Sequence, residues 1–270
     1  MSTYAWFTDS HLDHLKDDAS RLIAFGQSLV KDNPTGIFCS GDLTVSRKLI
    51  YHLSALERIT QRPFYFVLGN HDYYGGQIES VRQGMRYLST SSQHLRYMPT
   101  TPYVSLSSNT ALIGHDCWYD AMYGDWKTSN CYMNDWTEIV DFQLVNGAKS
   151  TIVARARELA HAGVEHIQNG IKGAVKYHKS IIVLTHYVPF EAAHTFEGKL
   201  ADKSYAPFYT CKMLGDMLID AAKAYPNVNF NVLCGHTHSS WNGKITANLE
   251  CHVGGTQYND PIVNGLIEVA

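Results

Sequence analysis

Short apolar runs recur along the chain, and most of them end at a polar residue able to bind a metal ion. The clearest are Tyr4-Ala5-Trp6-Phe7, Ile37-Phe38-Cys39, Phe64-Tyr65-Phe66-Val67-Leu68, Ile181-Ile182-Val183-Leu184 and Phe230-Asn231-Val232-Leu233-Cys234. Runs of this length, rich in β-branched and aromatic residues, predict buried strands. Between them the period lengthens to that of a helix. Residues 12–30 predict one helix, with Leu15, Leu22, Ile23 and Leu29 on its apolar face. Residues 45–59 predict a second, with Leu49, Leu53 and Leu56 in line, and 76–87 a third. Asn33-Pro34-Thr35-Gly36 and Arg62-Pro63 close the first two.

After residue 97 the pattern turns hairpin-like, with strands over 102–106 and 110–113 and a turn at Ser107-Ser108-Asn109. Residues 116–148 break the rhythm: they are rich in aromatics and show no sustained period, so they are read as an insertion. Helical spacing returns over 151–175 and 208–224, separated by a strand and a loop over 190–207. The end is β-rich, over 227–233, 244–251 and 266–269. There is no repeat, low-complexity tract or linker, so one domain over 1–270 is expected. Alternating strands and helices predict an α/β fold with a mixed or parallel sheet.

At 45% hydrophobic residues the chain can fill a core, and its charged fraction of 17% lies below the roughly 25% of ordinary domains. The net charge of −3 gives no basic footprint for nucleic acid. Met1-Ser2-Thr3-Tyr4 lacks a basic, then apolar, leader, and no apolar run approaches the ~20 residues of a membrane span. A cytoplasmic protein is expected. The six cysteines form no C-x-x-C pair, and reduced, buried thiols are the expectation.

The polar residues that follow the strands are Asp9-Ser10-His11, Gly41-Asp42, Gly69-Asn70-His71-Asp72, Thr185-His186 and Gly235-His236-Thr237-His238. Taken singly, each has a plain reading. Asp9 is a possible helix N-cap, His186 an ordinary strand-end histidine, and His236 with His238 a surface pair. Jointly these readings fail, because five such coincidences in one chain are implausible. Residues at the carboxyl ends of successive strands converge on one sheet edge, where open α/β sheets place their sites.

In the order D-x-H, GD, GNHD, H and GHxH, from Asp9 to His238, the chain resembles the calcineurin-like metallophosphoesterase superfamily. The resemblance implies two mixed β-sheets packed as a sandwich and flanked by helices. It implies that Asp9, His11, Asp42 and His238 bind one divalent metal ion, and that Asp42, Asn70, His186 and His236 bind a second. Two ions ~3.5–4 Å apart need a shared anionic ligand, and Asp42 is the candidate bridge. An N/O donor set without thiolate suits Mn, Fe, Zn or Ni. Two divalent ions outweigh two carboxylates and a hydroxide, so the site attracts phosphate although the protein is net negative. The expected nucleophile is a metal-bridging hydroxide. The resemblance gives His71 the role of proton donor to the leaving group or of phosphate contact. Asp72 is a candidate to orient that imidazole, or to cap the next loop.

The match departs from the Ser/Thr phosphatase branch, which carries GDxVDRG. Here Gly41-Asp42-Leu43-Thr44-Val45-Ser46-Arg47 lacks the second Asp, and Leu68 stands where that branch has Arg. The arginines that grip a phosphomonoester are in doubt. That favours a phosphodiesterase or a small-molecule phosphatase, and the expected function is hydrolysis of a small phosphodiester by a binuclear metal-dependent phosphoesterase, its nucleotide-like character resting on the aromatic cluster named below. The alternatives are a monoesterase on a small molecule or phosphoprotein, a non-catalytic scaffold on the same fold, and a nuclease. The scaffold is disfavoured by the full ligand set, and the nuclease by the absence of a basic stripe. Residues 116–148 and 190–207 are expected to wall the substrate pocket. Trp118, Tyr119, Tyr123 and Trp126 are the candidates to stack on a planar group, with a structural role as the alternative. His115 and His194 border the two loops and are further candidates for the lining. Gly254-Gly255 is a possible close backbone approach to the metals, or a bulge.

Overall fold

The computed structural model describes residues 2–15, 19–144 and 148–270. Strands β1 (Ser2–Phe7), β2 (Gly36–Cys39), β3 (Phe64–Phe66) and β4 (Leu95–Tyr97) alternate with helices α1 (Ala19–Ser28), α2 (Ser46–Thr60) and α3 (Ile78–Ser91). Strands β5 (Val104–Ser105) and β6 (Thr110–Gly114) follow, then short helices α4 (Asp135–Glu138) and α5 (Val140–Gln143) and the long α6 (Lys149–Ala174). Next come β7 (Ser180–Leu184), a small hairpin of β8 (Thr195–Phe196) and β9 (Lys199–Leu200), α7 (Ala206–Tyr209) and α8 (Lys212–Ala224). The chain ends with β10 (Asn229–Cys234), β11 (Trp241–Thr246), β12 (Leu249–Val253) and β13 (Gly265–Val269).

The strands form two large mixed sheets. One has the order β13-β1-β2-β3-β4, and the other β11-β12-β10-β7-β6-β5. In the first, only β13 runs antiparallel to its neighbour. In the second, the central strands β12, β10, β7 and β6 are mutually parallel, with antiparallel β11 and β5 at the edges. The parallel strands bury both faces, which explains why they read as unbroken apolar runs. Tyr4, Trp6, Phe38, Val67, Leu112, Ile182, Leu184 and Leu233 face inward and form the layer between the sheets. The Tyr4 and Phe38 rings stack there at 4.6 Å. Alternate residues of the same strands, such as Phe7, Ile37, Ile181 and Val232, belong to the outer core with helix residues such as Phe25, Leu53, Ile167 and Leu218. Each such side chain contributes ~1.5–3 kcal/mol by leaving water.

Several elements differ from the sequence-based expectation. Within 12–30 a short 3-10 turn, Leu12–Leu15, precedes α1, and residues 16–18 of that span lie outside the described residues. The segment 208–224 is broken between α7 and α8, where Thr210 adopts extended backbone and Cys211 is likewise non-helical. The Asp120 carboxylate accepts from the Met213 N–H at 2.6 Å and so caps the new helix start. The span 244–251 is a hairpin turn with its flanking strands rather than one strand. Asn248 holds the turn, its amide donating to the carbonyls of Ala222, Tyr225 and Val228. The loop 190–207 contains the β8-β9 hairpin, and the insertion contains α4 and α5. Among the described residues no helix is long and apolar enough to cross a membrane.

Candidate metal centre

The loops after β1, β2 and β3 from one sheet and after β7 and β10 from the other meet at one edge of the sandwich. Their backbones interlock. The Asp9 N–H donates to the Gly41 carbonyl (2.9 Å), the His11 N–H to that of Asp42 (3.1 Å) and the Leu12 N–H to that of Leu43 (2.8 Å). Across the sheets, the His236 N–H donates to both oxygens of Asp9, at 2.9 and 3.1 Å. The bends are severe: Asp9, His11, Asp42, His236 and His238 all have φ between 40° and 72°. Non-glycine residues seldom occupy this region, and each costs on the order of 1 kcal/mol or more. The surrounding hydrogen bonds hold that strain at the site.

Glycine precedes Asn70 for a reason of space. A Cβ on Gly69 would lie 2.2 Å from Asp42 Oδ1 and 2.6 Å from both Asp42 N and His186 Cε1. Asp72 ties the same loops together, accepting from the Thr44 and Gly69 N–H groups, each at 2.9 Å. Of its two sequence-level roles, loop anchor rather than partner of His71 is the one its bonds support.

Two groups of ligand atoms result: Asp9, His11, Asp42 and His238, and Asp42, His186 and His236. Within each group the atoms lie within 4.8 Å of one another. Asp42 is common to both, and its two oxygens divide between them. Oδ2 lies 3.9 Å from His11 Nε2, and Oδ1 3.4 Å from His186 Nε2. Asn70 Oδ1 is 3.2 Å from that same His186 Nε2, which sets the amide oxygen beside the second group. His11 and His238 face each other at 3.0 Å between Nε2 atoms, and Asp9 Oδ1 is 3.5 Å from His238 Nε2.

The donor set fits divalent ions. His236 is buried with its Nε2 lacking any hydrogen-bond partner, an expensive arrangement unless that lone pair has a cation to meet. His186 donates Nδ1–H to the Ser40 carbonyl at 2.9 Å, so Nε2 is the nitrogen directed at Asp42. Such a bond fixes the tautomer of a metal-binding histidine. Burial pushes the His11 and His236 imidazoles well below their ordinary pKa, which keeps them neutral. Burial would raise the Asp42 carboxyl, but His186 and His71 outweigh it and hold it well below the usual carboxylate range. Burial likewise opposes protonation of His186, and Asp42 overrides it, pushing the imidazole up to about 10. The Asp42 carboxylate and the His186 imidazole, 3.4 Å apart, thus each favour the charged form of the other.

His71 lies beside this set. Its N–H donates to Asp42 Oδ1 at 2.8 Å, and its ring stacks on Tyr74 at 4.2 Å and meets the His11 ring edge-on at 4.5 Å. Two residues escaped the sequence reading. Asp135, wholly buried in the insertion, accepts from Asn70 Nδ2 and from the Tyr74 hydroxyl, each at 2.8 Å. Tyr258, on the loop before β13, covers His11 and His14 at 4.6 and 4.7 Å between ring centroids. No motif marks either; both depend on long-range packing.

A cleft of about 470 Å³ opens onto the centre, lined by Asp42, Asn70, His71, His236 and His238. Its walls come from the two segments expected, with Tyr132, Met133 and Asn134 from the insertion and His194, Thr195, Phe196, Ala201, Asp202 and Tyr205 from the second loop. The expected residues are not the ones that line it. Trp118 and Tyr119 are fully buried, Trp118 among Tyr73, Phe142 and Tyr187, and Tyr119 against Phe208. Tyr123 and Trp126 are half-buried away from the cleft. Large apolar rings following a strand are drawn into the core by the area they remove from water. The exposed rings at the mouth are Tyr132, Phe196, Tyr205 and Tyr258. His194 lines the cleft, whereas His115 packs on His166 and accepts from the Cys117 N–H. Among the described residues lining the cleft there is no lysine or arginine. Gly254 approaches Thr8 of the β1 loop rather than the ligand atoms.

The family model for calcineurin-like phosphoesterases matches residues 3–240. Among curated proteins none matches by sequence. Among solved structures, a phosphopantetheinyl hydrolase from Mycobacterium tuberculosis superposes with a TM-score of 0.70 at 12% identity, covering 95% of this chain and 90% of its own. A dimetal phosphatase from Danio rerio gives 0.56 at 11% identity, with 94% and 87% covered. GAP50, the anchor in the inner membrane complex of Plasmodium, gives 0.50 at 13%, with 94% and 71% covered. At these identities the likeness concerns the fold.

Proposed function

The chain belongs to the calcineurin-like phosphoesterase family, and from that premise we propose that it is a binuclear metal-dependent hydrolase of a small phosphodiester. The observation that carries this reading is Asp42, shared by two ligand groups with one oxygen toward each. Asp9, His11, Asp42 and His238 would hold one divalent ion, and Asp42, Asn70, His186 and His236 the other, with Mn, Fe, Zn or Ni suited to the donors. Bound there, such ions polarise a phosphoryl oxygen and lower the pKa of water. His71, on the cleft wall, delivers a proton to the leaving alkoxide. Asp42 accepts from the backbone N–H of His71 and so sets where that imidazole starts.

The cleft supports a diester over a monoester. A phosphomonoester carries up to two negative charges at neutral pH, and enzymes commonly grip such groups with arginine. Apart from the ligands, the formal charge on the described lining is that of Asp202. The exposed Tyr132, Phe196, Tyr205 and Tyr258 offer faces for a planar organic group. A cytoplasmic setting accords with six free, buried thiols.

The test is hydrolysis of matched nitrophenyl diesters and monoesters by the protein loaded with Mn, and separately with Zn or Ni. The reading expects metal-dependent turnover with kcat/KM higher for the diester. A preference for the monoester would overturn the substrate class, and no turnover with any metal would overturn the enzyme assignment.

A further inference from the structure

We propose that Asp135 is a positioning residue for the metal centre: it fixes which end of the Asn70 amide faces the ligand group. The proposal rests on the metal-binding reading of Asn70 given above. An asparagine offers an oxygen and an NH₂ group of nearly the same shape, and only the oxygen has a lone pair for a cation. Something must therefore choose the orientation. Asp135 does so from behind. Its Oδ1 accepts from Asn70 Nδ2 at 2.8 Å, which turns Asn70 Oδ1 toward His186 Nε2, 3.2 Å away. A carboxylate in that place admits the NH₂ and repels the oxygen, so the reversed amide is excluded.

The same oxygen of Asp135 also takes the Tyr74 hydroxyl at 2.8 Å. Tyr74 stacks on His71 at 4.2 Å, so one buried carboxylate fixes both a ligand and the ring behind the proton donor. Asp135 is held in place by bonds it does not make with its side chain. The Glu138 carbonyl accepts from the Gly75 N–H at 2.7 Å, and the Val140 N–H donates to the Gly76 carbonyl at 3.1 Å. Asp141 accepts from the Ile78 N–H at 2.8 Å. The insertion is thus fastened to the segment after His71, and residues 132–134 just before Asp135 wall the cleft. One short segment shapes the substrate wall and orients a ligand.

The experiment measures Mn and Zn dissociation constants by competition with a chromogenic chelator, independent of turnover. Asp135→Ala should weaken metal binding by about 10–100-fold, the range for groups that orient a ligand. Asp135→Asn keeps the shape and an acceptor oxygen, and should recover most of that loss. The decisive comparison uses Asn70→Asp, whose two oxygens are equivalent and need no orientation. In that background Asp135→Ala should leave affinity unchanged or strengthen it, because it also removes a neighbouring like charge. Circular dichroism and thermal unfolding without metal establish that each variant is folded. Equal losses in both backgrounds would overturn the orienting role and leave Asp135 a general support of the fold. A wild-type chain that binds neither metal would overturn the centre itself, and this proposal with it.

Discussion

Gly69→Ala adds one carbon at the most crowded point of the centre. Its Cβ would lie 2.2 Å from Asp42 Oδ1, 2.6 Å from Asp42 N and 2.6 Å from His186 Cε1. Ordinary heavy-atom contact is roughly 3.5 Å, so the Asp42 carboxylate must retreat by more than about 1 Å. Neither neighbour yields cheaply. One obstacle is backbone, and the His186 ring is tied to the Ser40 carbonyl. Forced overpacking of this kind costs ~1–3 kcal/mol of stability, and a ~1 Å misplacement of a working group costs about 10² in rate. The variant should therefore fold with lowered Tm, bind metals more weakly and lose at least ~10² in diester hydrolysis. Gly84→Ala is the control. It sits in α3 with nothing within 4 Å of the added carbon, and should gain ~0.5–1 kcal/mol with unchanged activity. Urea unfolding, elemental analysis and steady-state kinetics on both variants decide the matter. Wild-type metal content and rate in Gly69→Ala would refute the claim that the carboxylate of Asp42 is pinned between its neighbours.

His71→Ala should keep its metals and lose roughly 10²–10⁴ in rate on alkyl diesters, with a smaller loss when the leaving group is nitrophenolate; equal losses on both exclude the acid role. Trp118→Ala should lower stability by about 3–5 kcal/mol with KM unchanged, whereas Tyr132→Ala should raise KM for an aromatic diester with Tm nearly unchanged. The opposite pattern would return Trp118 to the substrate wall. Burial pushes the His115 imidazole down to about 3, below its ordinary value of about 6.5. Between these values the unfolded chain binds the proton and the folded chain does not, so this stability is complete above the window and is lost as pH falls through it. At about pH 5 the loss amounts to ~2 kcal/mol. His115→Asn keeps an acceptor for the Cys117 N–H, so its stability should change less between about pH 7 and 5 than that of the wild type; parallel profiles from denaturant titrations would contradict the burial argument.

That the candidate ligands gather at one place was legible in the sequence because the signal is local. Each lies within a few residues of the end of a strand whose apolar run is itself visible, and parallel strands put their carboxyl ends together without any knowledge of tertiary contacts. Asp42 fits this pattern, since each of its two oxygens has a histidine neighbour, His11 at Oδ2 and His186 at Oδ1. The wall of the cleft was less legible. Its two segments could be located, but not the side chains that face the cleft. Trp118 and Trp126 look alike as sequence, yet the first is fully buried and the second half-buried beneath Lys127. Asp135 lies 65 positions from Asn70, and no periodicity connects them. The break at Thr210 has no local marker that was read, and the Asp120 carboxylate that stabilises it comes from the insertion, far away in sequence.

The central claim is that Asp42 joins two metal sites. Elemental analysis of protein purified without chelator tests it most directly, on the wild type and on Asp42→Asn side by side. The account predicts close to two divalent ions per wild-type chain and the loss of most of both in the variant, because one carboxylate faces both ligand groups. A single ion in the wild type, or two ions retained by Asp42→Asn, would contradict it.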